Sequence, residues 1–419
     1  MSTDLAAGRV RASTPRVPRA AKIRTPATYR LQVATTIALL AIGLVMVLSA
    51  SSVESFTAYG SSFLYFRKQL LGAAIGVVVM AVVARLDYRR LRALARPLFW
   101  VTLAALLAAL VPGIGISGGG SSRWLGFGPI TVQPSELAKL SLILVAAHVL
   151  ERKGRWVGDL RELTVPALPM TAIACGLMLL QPDLGTAIIA AVSVAVVLYL
   201  AGARIRHLGA ILAGAGACGA LYILSKPYQR ARLTAFLNPW ANPLKGGYQI
   251  IQGQIALGSG GWFGVGLGAS RQKWSYVPNA HTDFIFAIIG EELGLVGTLL
   301  VLGAFAFFLY LGIRTAREAP DRFGFLVAGG ITAWIGIQAV INVGAVTGML
   351  PITGVPLPLI SFGSTSLVVT LAAIGLLLSI ARLGGLARAE TAARLAEADA
   401  SAGAPAAGAA AGAGAEDAD

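Results

Sequence analysis

Ten apolar segments divide almost the whole chain and leave the charged residues in the stretches between them. The segments are 31–51, 68–86, 97–112, 134–151, 165–181, 184–202, 207–225, 284–313, 323–348 and 360–382. Crossing the hydrocarbon core of a bilayer as a helix takes about 20 apolar residues. Only 13% of residues are charged, whereas a soluble domain has about 25%. The pattern predicts an all-α polytopic membrane protein with about ten transmembrane helices.

The basic residues between these segments predict the orientation. A net charge of +15 would suit nucleic acid binding, but these residues cluster in short loops, which is typical of membrane topology. With ten spans, all the basic clusters fall on one side of the plasma membrane: 1–30, 85–96, 152–161, 204–206, 314–322 and 382–388. We therefore expect both termini in the cytoplasm and no nucleic acid partner.

Three regions are predicted from composition. Residues 1–30 form a basic arm and residues 386–419 an Ala/Gly-rich tail, and both are expected to be disordered and cytoplasmic. Between them lies a membrane domain over 31–385, with one large extracytoplasmic loop, 226–283, between helices 7 and 8. The arm would grip anionic lipid or dock a cytoplasmic protein, and nothing in its sequence separates these roles.

Asp283 stands at the end of the large loop, at the mouth of the apolar segment 284–313. A carboxylate at a membrane boundary carries a desolvation cost and is usually functional. Asp283 is therefore the strongest candidate for a catalytic group in the outer loops. His281 would orient Asp283 or the loop, or act as a second base, and Thr282 and Lys273 lie close in sequence.

Glu291 and Glu292 follow eight and nine residues after Asp283, roughly 12 Å deeper along a helix. Two adjacent carboxylates at that depth cannot both face lipid. One of them is expected to pair with a base on a neighbouring helix, and Lys139 is a candidate.

Three further groups of polar residues each allow two interpretations. Glu136 and Lys139, adjacent on one helix face, would contact substrate or form a structural ion pair. Asp183 would cap the next helix or face an internal cavity and orient a basic group there. Arg230 and Arg232 would hold phosphate through forked hydrogen bonds or extend towards the membrane interface.

The remaining outer features are glycines, hydroxyls and one arginine. The glycine-rich stretch 258–268 lacks the strand of a nucleotide-binding fingerprint, and its glycines are expected to let re-entrant backbone pack tightly. Arg123 lies in the loop 113–133 and would reach the lipid headgroups. Ser361 adds a hydroxyl at the top of the last span.

Five segments in this order resemble the SEDS family of bacterial cell-wall polymerases. They are SSRWLGFGPITVQPSELAKL, QPDLGTA, GYQIIQGQIALGSGGWFGVGLGAS, NAHTDFIFAIIGEELG and NVGAVTGMLPITGVPLPLISFGSTS, and they cover residues 120–370 approximately. The IIGEELG form and the GVPLPLISFG turn look more like the division branch, FtsW, than the elongation branch, RodA.

The resemblance implies a ten-span peptidoglycan glycosyltransferase that polymerises lipid II at the outer membrane face for septal wall synthesis and releases undecaprenyl diphosphate. Asp283 would be its essential acid. The family works with a class B penicillin-binding transpeptidase, other divisome membrane proteins and membrane lipid. It holds no tightly bound cofactor, although a divalent cation, Mg²⁺ or Mn²⁺, often supports activity. The expected substrate-binding residues are Arg123, Glu136, Lys139, Asp183, Arg230, Arg232, Lys273, His281, Thr282 and Ser361.

Chemistry leaves two roles open for Asp283. It would remove the proton of the acceptor hydroxyl as a general base, or it would be the ligand of a metal that bridges to the diphosphate. Many relatives carry an acid where this chain has Asn279, and some carry Glu at Ser275, which leaves Asp283 more isolated.

Two other classes of function also fit a polytopic chain. A lipid II flippase would suit ten spans with buried charges, although transporters usually show paired repeats, and none is evident in the sequence. A non-enzymatic scaffold that recruits the transpeptidase would tolerate Asp283→Ala.

Overall fold

The computed structural model describes residues 26–118, 121–127, 130–153, 165–274 and 276–402. Most of the predicted arm, the end of the predicted tail, Ser275 and the basic residues Arg155 and Arg161 lie outside these ranges. In the described residues, helices α1–α12 are Ala27–Tyr59, Leu64–Arg85, Leu91–Leu110, Pro134–Arg152, Ala167–Leu180, Leu184–Leu200, Ile205–Ser225, Pro227–Leu237, Tyr248–Ser259, Ile285–Arg317, Arg322–Val346 and Ser364–Ala402.

Helices α1–α7 and α10–α12 coincide with the ten predicted apolar segments. Seven of the described helices are long and apolar enough to cross a membrane, and α5 and α6 are shorter apolar helices. The last of the ten helices that match predicted spans, α4, carries buried charges. The polytopic helical class is confirmed, while the count of ten crossings stays a prediction. Helix α12 continues to Ala402, so the first part of the tail expected to be disordered is helical.

The turns that carry the basic clusters meet at one end of the bundle. Arg89, after α2, lies 3.0 Å from Asp321, the residue before α11. Arg388 of α12 lies 2.7 Å from Glu318 at the end of α10. Such exposed pairs add little stability, roughly 0.2–1 kcal/mol each. They do show that these helix ends share a face, as the predicted alternation of loops requires.

The loop between α3 and α4 forms a small sheet that the all-α prediction missed. Strands β1 (Gly115–Gly118), β2 (Ser121–Phe127) and β3 (Ile130–Val132) pair antiparallel in the order β1-β2-β3. Leu125 of β2 lies opposite both Gly115 and Val132. The sheet places Arg123 above the ends of α3 and α4.

The glycine-rich part of the large loop packs against a break in α10. Gly294 has φ 67° and ψ −164°, outside helical geometry. The backbone N–H of Val265 donates to Glu291 O at 2.9 Å beside the break. A Cβ at Gly294 would lie 2.4 Å from the Gly264 nitrogen, so only glycine allows this approach. The tight packing expected of these glycines is observed, and the helix expected over 284–313 is interrupted at Gly294.

Glu291 holds the loop from inside the protein. Its carboxylate accepts hydrogen bonds from the Ser270 hydroxyl and from the backbone N–H groups of Arg271 at 2.9 Å and Gln272 at 3.4 Å. The side chain is buried, so these donors replace the water that the carboxylate has lost. The buried acid therefore fixes the course of the large loop.

Glu292 faces the other side of the same junction. It accepts a hydrogen bond from the Ser49 hydroxyl of α1 at 2.6 Å and lies 3.9 Å from the Lys273 ammonium. The predicted pairing of these acids with Lys139 is wrong, because α10 turns this face towards the loop and α1. The neighbouring base is Lys273, which is itself buried and also donates to Gly268 O.

Helix α1 packs closely against the chain segment that precedes α12. A Cβ at Gly43 would lie 2.4 Å from the Leu359 carbonyl oxygen and 2.7 Å from the Ile360 Cα. Since both obstacles are backbone atoms, a side chain at position 43 would push the whole segment away.

We expect Gly43→Ala to destabilise the fold by about 1–3 kcal/mol, as overpacking does in other cores. Gly303→Ala is the matched control, since nothing lies within 4 Å of its Cβ position in α10. Thermal unfolding of both variants in detergent measures the difference. Equal melting temperatures for the two would contradict the close approach of α1.

Candidate active site

The segment that carries Asp283 is held by its backbone. Each carbonyl of residues 281–283 accepts one hydrogen bond from a different donor. In order, the donors are the Phe362 backbone N–H at 2.9 Å, the Ser361 hydroxyl at 2.6 Å and the Asn342 side-chain amide at 2.8 Å. Three consecutive bonds fix the peptide planes, so the Asp283 side chain starts from a rigid base.

Helix α11 supplies the fixed points for this arrangement. Gln338 and Asn342 lie one turn apart and face the same side. The Gln338 amide donates to Pro356 O at 2.9 Å, and the Asn342 amide donates to Val355 O at 2.8 Å as well as to Asp283. The proline-rich turn, residues 351–358, and the Asp283 segment, residues 281–283, are therefore both hydrogen-bonded to α11.

Glu136 and Lys139 form a buried ion pair behind this helix. Their charged atoms are 2.9 Å apart. The Lys139 ammonium also donates to Gln338 Oε1 at 2.9 Å and lies 4.9 Å from the centre of the Trp334 ring. Both charged side chains are enclosed by protein, so the structure favours the structural interpretation and does not support direct contact with substrate.

Asp283 and Arg232 face the same small space. A Cβ placed on Gly354 would lie 3.4 Å from Asp283 Oδ2 and 3.7 Å from Arg232 Nη1. Gly354 also has φ +74°, a conformation that other residues rarely adopt. A glycine at this position leaves no side chain beside the carboxylate and the guanidinium.

The surroundings of Asp283 change its acidity. Burial raises the pKa of the Asp283 carboxyl, and the nearby Arg232 charge opposes that rise. Weaker lowering of this pKa comes from Thr282, His281 and Arg123. A carboxylate with a raised pKa beside a cation is typical of a general base that must accept a proton near neutral pH.

The two arginines of α8, Arg230 and Arg232, lie in different environments. Arg232 is half-buried, lies 4.8 Å from the centre of the Tyr228 ring and donates to Ile352 O at 3.5 Å. Arg230 is exposed, because residues two apart on a helix do not share a face. The structure does not bring Arg230 and Arg232 together for a joint phosphate site, and the Arg232 guanidinium is the one that lies beside Gly354, as the Asp283 carboxylate does.

A cavity of about 90 Å³ lies beside Arg232. It is enclosed by parts of α6, α7, α8 and the proline-rich turn. Most of its wall is apolar, with Gln229, Arg232 and Thr353 as its polar members. The lining residues are Pro182, Leu184, Gly185, Ile188, Ile223, Gln229, Arg232, Leu233, Pro351, Ile352 and Thr353.

Arg123 fixes the turn between α5 and α6. Its Nε donates to Gln181 O at 2.8 Å and its Nη2 donates to Pro182 O at 2.6 Å. This half-buried side chain therefore holds backbone instead of extending to the lipid headgroups. Its charge still acts on Asp283, as the pKa of that carboxyl shows.

Asp183 caps helix α6. Its carboxylate accepts from the Thr186 backbone N–H at 3.3 Å, the Ser135 hydroxyl at 3.0 Å and the Gln133 amide at 3.3 Å. The side chain is buried by these partners. The capping interpretation is confirmed, and the structure does not support Asp183 as a substrate-binding residue.

Three other predicted substrate-binding residues have internal roles. The buried Ser361 hydroxyl accepts from the Leu357 N–H at 2.8 Å while it donates to Thr282 O. The Thr282 hydroxyl donates to Asn279 O at 3.2 Å. Lys273 points into the core of the loop. These contacts do not support direct binding of substrate by Ser361 or Lys273, whereas the half-buried Thr282 adjoins Asp283.

His281 contacts a residue that the sequence analysis missed. Its Nδ1 lies 3.0 Å from the Glu54 carboxylate of α1. The ring also stacks on Tyr65, with centroids 4.8 Å apart. In the sequence, Glu54 is a single acid just after the apolar segment 31–51, which is only a weak indication of a functional role. Asn342 and Gly354 were also missed. Their only signals in the sequence are that Asn342 is a polar residue in an apolar segment and that Gly354 is a glycine among prolines.

Within the described residues, no group of three or more His, Cys, Asp or Glu side chains is arranged to hold a metal ion. Magnesium, however, keeps several waters and is commonly bound by one or two carboxylates together with substrate phosphates. Asp283 in an open space beside Arg232 fits that mode of binding and does not fit an all-protein metal site.

We expect Ser361→Ala to lower the free energy of unfolding by about 1–3 kcal/mol, because Thr282 O and Leu357 N–H would lose their buried partner. Ser366→Ala, in the half-buried first turn of α12, is the control and should change little. Thermal unfolding in detergent compares them. A Ser361→Ala protein as stable as the control would show that water replaces the hydroxyl.

Comparison with known proteins agrees with this architecture. The family described as cell cycle proteins, FtsW/RodA/SpoVE, matches residues 29–384. Stage V sporulation protein E of Bacillus subtilis is 44% identical over 83% of this chain and 94% of its own length. A protein of Mycobacterium tuberculosis named as a probable peptidoglycan glycosyltransferase FtsW is 41% identical over 84% of this chain and 67% of its own.

Solved structures are similar too. A chain from a study of polymerization and crosslinking by a peptidoglycan synthase complex superposes with a TM-score of 0.70 and 33% identity, covering 84% of this chain and 97% of that one. RodA of Thermus thermophilus gives a TM-score of 0.63 and 32% identity over 84% of this chain and 95% of its own. This chain therefore belongs to the FtsW/RodA/SpoVE family of polytopic membrane proteins.

Proposed function

We propose that this protein is a peptidoglycan glycosyltransferase that polymerises lipid II at the outer face of the plasma membrane during septal wall synthesis. The observation that carries the proposal is the Asp283 carboxylate, held on a rigid segment and lying, like the Arg232 guanidinium, beside Gly354. The names of the FtsW relatives support the same activity. The basic turns gathered at the opposite end support cytoplasmic termini and an extracytoplasmic site.

Asp283 acts as the general base. Polymerisation joins the 4-hydroxyl of one lipid-linked sugar to the anomeric carbon of another and breaks the bond to undecaprenyl diphosphate. The hydroxyl is a poor nucleophile until its proton is removed. Burial raises the pKa of Asp283, which strengthens this carboxylate as a base, while the charge of Arg232 limits the rise.

Arg232 stabilises the leaving group. The diphosphate departs with its own negative charge, so it needs no acid to protonate it. A fixed guanidinium that faces the reacting atoms lowers the energy of that charge as it develops. Arg230, on the exposed side of α8, has no part in this step.

In the alternative role, Asp283 would not be the base but would hold a divalent cation, Mg²⁺ or Mn²⁺, together with the substrate diphosphate. Such an ion would supply further neutralisation of the leaving charge. No tightly bound cofactor is proposed, because the protein offers this ion a carboxylate and leaves the remaining ligands to substrate and water.

The apolar cavity beside Arg232 suits a ligand with a phosphate on an apolar tail. Its volume of about 90 Å³ is well below the roughly 300 Å³ of a small ligand pocket. It therefore receives only the part of lipid II next to the phosphates, while the tail lies along the membrane-facing helices and the sugars lie outside.

New glycan strands must be crosslinked, so we propose a class B penicillin-binding transpeptidase as partner, together with other divisome membrane proteins. One of the similar solved chains belongs to a peptidoglycan synthase complex that coordinates polymerization and crosslinking. A shared complex would deliver nascent strands directly to the second enzyme.

We expect Asp283→Asn to abolish polymerisation of purified lipid II, since the amide cannot accept the proton. Loss of more than about 100-fold is expected for a general base. Gel separation of labelled glycan strands, with and without the transpeptidase and Mg²⁺, measures this. Asp87→Asn, on the basic end of the bundle, is the control. A variant at position 283 with normal strand synthesis would refute the mechanism and favour a scaffold or a flippase.

We expect Arg232→Gln to shift the acid limb of the pH–rate profile to higher pH. Arg232 lowers the pKa of Asp283, so its removal raises that pKa and a higher pH is needed to ionise the base. Arg230→Gln removes the same charge two residues away and should leave the limb in place. Equal shifts in both variants would indicate a general charge effect instead.

A further inference from the structure

Glu54 of α1 contacts the active-site segment, residues 281–283, through His281. Helix α1 continues to Tyr59, past the end of its predicted apolar span, and this extension carries Glu54 beside His281. The Glu54 carboxylate lies 3.0 Å from His281 Nδ1, with side chains 45% and 6% exposed respectively. This close approach of ring and carboxylate restricts the in-plane direction of the ring.

The imidazole ring is also held on its faces. Tyr65 stacks on it, with centroids 4.8 Å apart and planes at 29°, and Phe362 lies at 5.4 Å. Tyr59 supports Tyr65 edge-on at 5.8 Å. Rings alone leave the imidazole free to rotate within its plane, so the Glu54 contact supplies the remaining restraint.

These contacts complete a two-sided grip on residues 281–283. One side holds the three carbonyl oxygens through Asn342, Ser361 and Phe362. The other side, formed by the outer ends of α1 and α2, holds the His281 side chain. Asp283 is two residues further along, so a change in the ring position is transmitted to the carboxylate.

We propose that Glu54 is a positioning residue for glycosyl transfer, acting through His281 on the placement of Asp283. The inference rests on the proposed function. Glu54 contacts His281, and among the described residues no hydrogen bond or ion pair joins Glu54 to Asp283 or Arg232. An ion pair in which one partner is nearly half exposed contributes little to global stability, so its effect on catalysis is separable from folding.

The test compares Glu54→Ala with Glu54→Gln and with the control Thr57→Ala, whose hydroxyl bonds only within α1. Lipid II polymerisation by the full chain with its transpeptidase gives kcat and KM. Glu54→Ala is expected to lower kcat by roughly tenfold, as small misplacements of a catalytic group do, and to leave KM unchanged. Glu54→Gln keeps an acceptor for Nδ1–H and should restore most of kcat.

Three results would overturn the proposal. An unchanged kcat in Glu54→Ala would show that the ring stack suffices. A raised KM with normal kcat would indicate substrate contact by Glu54. A Glu54→Gln protein as impaired as Glu54→Ala would indicate a role of charge instead of position. An active Asp283→Asn protein would refute the proposed mechanism, whereas an inactive one with normal Glu54→Ala refutes this inference alone.

Discussion

The structure depends on three hydrogen bonds to consecutive carbonyl groups, those of residues 281–283. They join the end of the large loop to α11 and to the turn before α12. A loop at a membrane surface has few ways to hold one side chain still, because water competes for every polar group. Donors on α11 and in the packed turn before α12 reduce that competition and give Asp283 the precision of the helix bundle.

Several charges that suggest substrate binding in the sequence build this support instead. Lys139, neutralised by Glu136, orients Gln338, which in turn holds the proline-rich turn next to Asp283. A buried lysine is costly to desolvate unless it is paired and hydrogen-bonded, and Lys139 has both an ion pair and a hydrogen bond. Glu291 does the same for the large loop. Charge buried in a membrane protein therefore marks positions where backbone must be fixed as well as positions that meet ligand.

The sequence predicted what depends on local pattern. Runs of apolar residues located the helices, and an isolated acid at a membrane boundary identified Asp283. It could not predict Glu54 or Asn342, since their roles arise from contacts between segments more than fifty residues apart, and no local pattern encodes them. The break at Gly294 was missed for a related reason. Its amides are satisfied by a distant loop, which only the folded chain brings near.

The two charged partners at the site are supported unequally. Asp283 is fixed by α11, in which most residues are buried. Arg232 lies on α8, in which only Gln229 and Ala235 are buried. The preceding helix, α7, has one buried residue, Leu208, so this side of the site is packed less tightly. A base must be held at one distance from the attacking hydroxyl, whereas a cation stabilises a departing diphosphate over a range of positions. The rigid side of the site thus carries the group with the stricter geometry, and the room for substrate is set by α7 and α8.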